Sequence, residues 1–301
     1  MVTINSGPLV SGIFFIKHGI SLDYPVVESI KSIEPLCDEI IINVGFSDRN
    51  LKEDDGTYDL LRGIFTHKKF IFLKSFWDPQ IASRGTILSQ QTNISLAKAH
   101  GKICQYIQGD EVIHEDDLSE IHNGIIHMER NPQIEGLIFK YLHFYGSPDY
   151  IRQTRSVYRR EVRTIRNNIG VRSYLDAQGF RHSDNSKLFC REINARIFHY
   201  GWARKEQLMH KKIEAMNRLY HGEDCTSKDN FEYQRLWGVK PFQQTHPKIM
   251  EEWIKQHRKE KLDLMSMPMR HEFKNLGLAI SDGVESLTGY RIGEYKNFKI
   301  I

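Results

Sequence analysis

Cysteine is scarce and widely spaced. Cys37, Cys104, Cys190 and Cys225 form no C-x-x-C pair, which excludes a zinc knuckle and a disulfide framework and leaves small buried side chains as their reading. No apolar run approaches the length of about 20 residues that crosses a bilayer, and residues 1–12 lack the basic start and apolar core of a secretory signal, so a cytoplasmic protein is expected. Gly-rich phosphate fingerprints are missing too. Neither G-x-G-x-x-G nor G-x-x-x-x-G-K-S/T follows the first apolar run, which argues against a dinucleotide oxidoreductase and a P-loop phosphotransferase. His210, His221, His246, His257 and His271 show no metal-ligand spacing, and there is neither an internal repeat nor a low-complexity linker.

What is present reads as ordinary soluble protein: 301 residues, 40% hydrophobic and 27% charged, enough chain for one large domain or a domain with an extension. The net charge of +4 comes largely from the second half, notably residues 152–172 and 255–261. Such an excess attracts nucleotide phosphates, anionic head groups or nucleic acid without choosing among them.

Taken in order, SGIFFIKHG (11–19) is a compact apolar strand, and residues 24–33 read as a helix with Pro25 tolerated in its first turn. CDEIIINVG (37–45) is a β-branched run typical of an interior parallel strand. A third strand is expected at 68–77, a helix at 87–99 and a fourth strand at 103–107. Strands alternating with helices indicate a doubly wound α/β sheet, with a barrel as the other reading. Beyond them, a helix is expected at 118–130, a strand at 134–146, strands within 154–168, a strand at 194–204 and a helix at 205–220. Past Gly222 a helix is expected at 229–237 and an exposed one at 248–261, and residues 264–278 should pack back on the body.

The chain is organised around CQYIQGDEVIHEDD (104–117), where a short strand turns abruptly into acids. A strand that delivers Asp110 and Glu111 to its C-terminal edge puts negative charge where open α/β sheets hold their ligands, a place for a metal ion. The same run also fits a water-facing loop ahead of a helix start at 115–118.

Three pieces carry a resemblance: EIIINVGFSDRN (39–50), QQTNISLAKAHGKICQYIQGDEVI (90–113) and RIFHYGWARKEQLMHKK (196–212). In order and spacing they resemble the inverting family 2 glycosyltransferases of the GT-A fold, small bacterial branch, over roughly residues 11–212. The resemblance implies a GT-A-like doubly wound mixed sheet flanked by helices, formed by residues 1–221, with a largely helical C-terminal extension, 222–301, on the same body. The departures are that the first nucleotide-binding acid of the family corresponds to Asn43, its Arg-Asn pair to Thr92 and Asn93, and the first Asp of its acidic signature to Gln108.

By this resemblance the donor is a nucleoside-diphosphate sugar, and a divalent ion, manganese or magnesium, neutralises the departing diphosphate through hard oxygen ligands. Asp110 is the matched metal ligand, with Gln108 assisting and His199 as a second ligand or a phosphate donor. Asn43 and Asp48 would flank the nucleotide and Asn93 would lie on the adjoining helix. Trp77 and Arg84 occupy the loop before it, where stacking and diphosphate contact are conceivable; a lid over the core and a surface charge are their bland readings. Inversion needs a carboxylate base within reach of the acceptor hydroxyl. By chain order Asp184 is preferred, with Asp176 and Glu161 behind it. The acceptor is a glycan, a lipid-linked sugar or a protein; nucleic acid is not expected, while peripheral membrane contact at the inner face and a homo-oligomer stay open. A metal-dependent nucleotidyltransferase and a degraded nucleotide- or sugar-binding protein of the same fold are the competing readings, with a polyanion binder using residues 152–172 third.

Overall fold

The computed structural model describes residues 9–81, 83–222, 230–258, 262–269 and 273–301. The strands are β1 (Val10–Ile16), β2 (Glu39–Phe46), β3 (Phe70–Phe76), β4 (Ile103–Gln108), β5 (Glu111–Ile113), β6 (Gly136–Tyr145), β7 (Ser147–Arg152), β8 (Arg160–Arg166), β9 (Val171–Tyr174), β10 (Gly179–His182), β11 (Phe189–Trp202), β12 (Val239–Pro241) and β13 (Lys299–Ile300). The helices are α1 (Val26–Ile33), α2 (Thr57–Ile64), α3 (Thr86–Leu96), α4 (Leu118–Arg130), α5 (Glu206–His221), α6 (Glu251–His257) and α7 (Phe273–Thr288).

β1 and β2 are almost wholly buried, as their unbroken apolar runs require. They form the parallel heart of the main sheet, ordered β12-β7-β6-β8-β4-β1-β2-β3, with β11 joined to β6, β5 and β13. Pairs β2/β3, β1/β2, β1/β4 and β6/β11 are parallel, while β8 enters antiparallel between β4 and β6. α1, α2 and α4 cover one face through Ile30, Leu61, Ile121 and Ile125. On the other, α3 and the β9–β10 hairpin pack through Ile87, Leu96 and Phe180. This is a doubly wound mixed α/β fold, as expected, and the barrel reading is set aside.

The tail packs on the same body: β13 pairs with β11, and α6 adds Trp253 and Ile254 to a cluster with Phe144, Phe198 and Tyr200. Three expectations for the tail are corrected. Residues 230–237 are not helical but irregular, with Arg235 in an isolated bridge to Met269, because Phe231 and Tyr233 are drawn into contacts with Trp202 and Tyr145. The helix expected at 248–261 is α6 behind a short 3-10 turn, and it is half buried rather than exposed; residues 259–261 lie outside the described ones. Leu264 packs back against Tyr145 and Met209, but Phe273 and Leu276 do not. α7 is held through its polar side, Asp282 accepting from Trp237 Nε1 at 2.8 Å and Glu285 from Arg159 and Arg291. Phe273, Leu276, Ile280 and Leu287 face solvent.

Cys37, Cys104 and Cys190 are free and buried; Cys225 and His271 lie outside the described residues. Of the basic stretch, Arg163 is fully buried, Arg166 caps the carbonyls of Met128, Asn131 and Ile134, and Arg159 and Arg160 pair with Glu294. These four charges are spent inside the fold. Among the described residues no helix is long and apolar enough to cross a membrane.

Candidate functional site

The acids after β4 fold as a tight turn. β4 ends at Gln108, Gly109 and Asp110 turn the chain, and β5 pairs antiparallel with β11, setting Glu111 opposite His199. β11 runs parallel to β6, with His199 in register with His143, so the two imidazoles stand on adjacent strands at the same level. The Tyr200 amide donates to the Asp110 carbonyl at 2.8 Å and locks the turn onto β11.

Around the Asp110 carboxylate the contacts are cationic. Lys212 Nζ, from α5, donates to Oδ2 at 2.8 Å and to the Gly201 carbonyl at 2.9 Å. Arg204 Nη2 lies 4.0 Å from the same oxygen and His199 Nε2 3.6 Å. At 3.6 Å the histidine lies beyond hydrogen-bond distance of the carboxylate. Burial opposes ionisation of Asp110, yet Lys212, His199 and Arg204 hold its carboxyl well below the usual range.

A chain of imidazoles leads away from it. His143 Nε2 lies 2.6 Å from the Tyr158 carbonyl, which only accepts, so that nitrogen carries the proton. Burial, then the neighbouring His199, push the His143 pKa down to about 3 and keep the ring neutral. Its Nδ1 is therefore the acceptor for His199 Nδ1, 2.9 Å away. Both histidines line a cavity of about 620 Å³ walled by Phe144, Val157, Tyr158, Trp202, Phe231 and Leu236, with Arg152, His210 and Glu232 also on its wall.

Beneath this layer Glu111 is fully buried. It takes Arg163 on both oxygens, at 2.9 and 2.8 Å, and the Tyr141 hydroxyl at 2.7 Å. Glu111 thus orders the turn.

The structure joins Asp110 to His199 but does not bring the other expected residues to that point. Asn43 lies on the same sheet edge as Gln108, each in register with Phe15 of β1. It is fully buried, and its amide donates to Gln91 of α3. A neutral amide at a sealed strand position takes a helix side chain as partner, which leaves no path to a base or ribose. Trp77 lies over Gly45, where any side chain would run into the indole, and tilts against Phe15 at 6.0 Å: it is a lid on the core. Asp48 is half-buried and caps its own loop through the amides of Asn50, Lys52 and Glu53. Asn93 clamps both backbone groups of Ser173, Gln108 donates to Tyr106 and Ala177, and Arg84 is exposed.

The expected bases are also placed elsewhere. Asp184 sits in the exposed turn after β10, capping Ser186; neighbouring His182 bonds Glu135 at the start of β6. From there to His143 the strand runs roughly 26 Å at about 3.3 Å per residue, so Asp184 is at the wrong end of the sheet. Asp176 accepts from Tyr220 at 3.1 Å, and Glu161 is sealed by Gln178 and Asn297, with burial raising its pKa to about 7.

A divalent ion does not fit the Asp110 and His199 donor set. The Asp110 oxygen it would need is committed to Lys212, and an ammonium and a guanidinium within 4.0 Å repel a further cation. Among the described residues no three His, Cys, Asp or Glu side chains converge as a metal site. The expectation of manganese or magnesium here is therefore corrected: Asp110 is ionised, but its partner is an ammonium.

Sequence reasoning missed Lys212, Arg204, His143 and Glu232. The first two lie within the RIFHYGWARKEQLMHKK segment, where nothing in the pattern tells a buried cation from a solvated one. His143 had a signal, since HFYG (143–146) repeats the His-aromatic pattern of HYGW (199–202) at the end of a strand.

No family model matches the chain, and no curated protein matches it. Among solved structures, S. aureus TarS 1-349 in complex with UDP aligns at 14% identity and TM-score 0.32 over 49% of this chain and 39% of that one. The TarS 1-349 structure without a named ligand aligns at 10% and 0.34 over 69% and 64%. A nucleotidyl transferase from Methanothermobacter thermautotroptrophicus aligns at 11% and 0.28 over 48% and 69%. The chain thus spans less than two thirds of the TarS segment in these alignments. At such scores the fold class rests on the strand order described above and not on these likenesses.

Proposed function

We propose that this protein transfers a sugar from a nucleoside-diphosphate sugar to an acceptor hydroxyl, with inversion. The observation that carries the reading is the meeting of Asp110 and His199 at the C-terminal edge of the sheet, beside the cavity of about 620 Å³. Doubly wound sheets hold ligands at that edge, and the order of the motifs that resemble family 2 glycosyltransferases leads to the same two residues.

In this reading the acceptor lies in the cavity, its apolar sugar faces against Trp202 and Phe231. The acceptor oxygen attacks the anomeric carbon as the carbon–oxygen bond to the diphosphate breaks. The bonding pair leaves with the diphosphate, and the hydroxyl proton passes to a base. Glu232 takes the base role in place of Asp184, because it is the one carboxylate among the described residues that line the cavity. The acceptor is a glycan, lipid-linked sugar or protein. Peripheral membrane contact or self-association, both left open by the sequence, would use the exposed apolar side of α7.

Turnover of a donor panel with simple glycoside acceptors tests this. Glu232→Gln is expected to lower the rate at least about a hundredfold at unchanged donor affinity, the usual size of a general-base effect, while Asp184→Ala leaves it unchanged. The reverse pattern would remove Glu232 from the reaction.

A further inference from the structure

Among the described residues the charges buried around Asp110 do not balance; Asp23, whose carboxyl Arg204 helps to hold down, is part-exposed and bonded to His257. One carboxylate faces an ammonium and a guanidinium, and all three side chains are buried, with Arg204 and Lys212 0% and 8% exposed. Arg204 is more than a structural prop for that carboxylate. Its Nη1 donates to the Leu22 carbonyl and its plane lies 3.9 Å over Tyr24, but among the described residues Nε and Nη2 have no hydrogen-bond partner. Lys212 spends two of its three N–H groups, on Asp110 and the Gly201 carbonyl. Uncompensated buried cations are costly unless a counter-charge arrives. The arrangement is that of an anion site missing its anion.

We propose that Lys212 binds the diphosphate of a nucleoside-diphosphate ligand directly, with the buried Arg204 adding charge behind it, so that binding needs no divalent cation. This rests on the glycosyl-transfer reading and deepens it by naming what neutralises the leaving group. Lys212 supplies its free N–H to a phosphate oxygen, His199 faces the same point from β11, and Arg204 contributes charge from behind Tyr24. Asp110 keeps the ammonium fixed when no ligand is bound. The side chains of Lys212, Asp110 and His199 keep 10%, 11% and 12% of their surface accessible, so the cluster is not fully sealed.

Calorimetric titration of the full chain with UDP, GDP, CDP, ADP, dTDP and inorganic pyrophosphate, once in EDTA and once with excess manganese, tests the proposal. At least one nucleoside diphosphate is expected to bind in EDTA, with affinity within about threefold of that in manganese. Lys212→Met should weaken it at least about tenfold, as the loss of a charge-assisted hydrogen bond does, and Lys212→Arg should retain most of it. Binding that appears only with manganese would overturn the proposal and leave the sugar-transfer reading standing. Absence of binding in both buffers would overturn both. Should Lys212→Met fail to fold, the comparison of the two buffers with the unaltered chain still decides.

Discussion

Gly201 is a glycine because there is no room for anything larger. A Cβ there would lie 2.6 Å from His199 Nε2 and 2.9 Å from Asp110 Oδ2, so the contact between these two side chains depends on the bare backbone between them. Gly201→Ala should force the imidazole aside, cost about 1–3 kcal/mol as overpacked sites do, and weaken donor binding; His199→Ala in the same chain should recover the stability but not the binding. Urea melts and donor titrations of the three variants check this. Buried groups nearby set the pH response. His143 is held neutral down to about 3, so the unfolded chain alone takes up a proton as pH falls below 6.5, and stability drops by about 1.4 kcal/mol per unit. Glu161 works in the opposite sense: its pKa is raised from 4.5 to about 7, so its contribution is complete below 4.5 and lost as pH rises through 7. His246, which burial lowers to about 4, adds a second slope of the same sign as His143, so stability is expected to rise with pH between 4.5 and 6.5 and the loss from Glu161 to show only above 6.5. Denaturant melts across this range should show it, with the alkaline fall absent in Glu161→Gln and the acid fall reduced in His143→Gln.

At the scale of elements, three-residue β5 is held in place by charge as well as by its ladder. Glu111 reaches Arg163 on β8 and Tyr141 on β6, tying together the strands that carry Asp110, His143 and their surroundings. Breaking such a pair on one side leaves an unpaired buried charge, so Glu111→Gln should cost about 3–5 kcal/mol. Glu111→Gln with Arg163→Met should recover part of that, and equilibrium unfolding of the single and double variants measures it. The elements themselves were the legible part of the sequence. GIFFI, EIIIN and ICQYI could only be buried parallel strands, and the turn into GDE could only end one. The tail was less legible because its helices are short and α7 is inverted, packing through Asp282 and Glu285 while Phe273 and Leu276 face outward. Periodicity tells which side of a helix is apolar; it does not tell which side the body holds.

Over the whole molecule, the sheet edge brings together positions far apart in the chain, and there sequence reasoning reached only half of the site. Asp110 and His199 were found because their segments resemble those of family 2 glycosyltransferases. Lys212 and Arg204 were not, because their roles follow from how α5 lies against that edge, and the tail residue Glu232 enters only through a cavity wall. Asn43 shows the converse: its strand placement was right, yet Gln91 closes over it. Phosphorus and proton NMR of the products formed from a nucleotide-sugar panel, with and without acceptor, tests the central claim most directly. The account predicts a nucleoside diphosphate and a sugar product inverted at its anomeric carbon, both lost in His199→Ala. A nucleoside monophosphate with a sugar phosphate, or donors left intact under every condition, would contradict it.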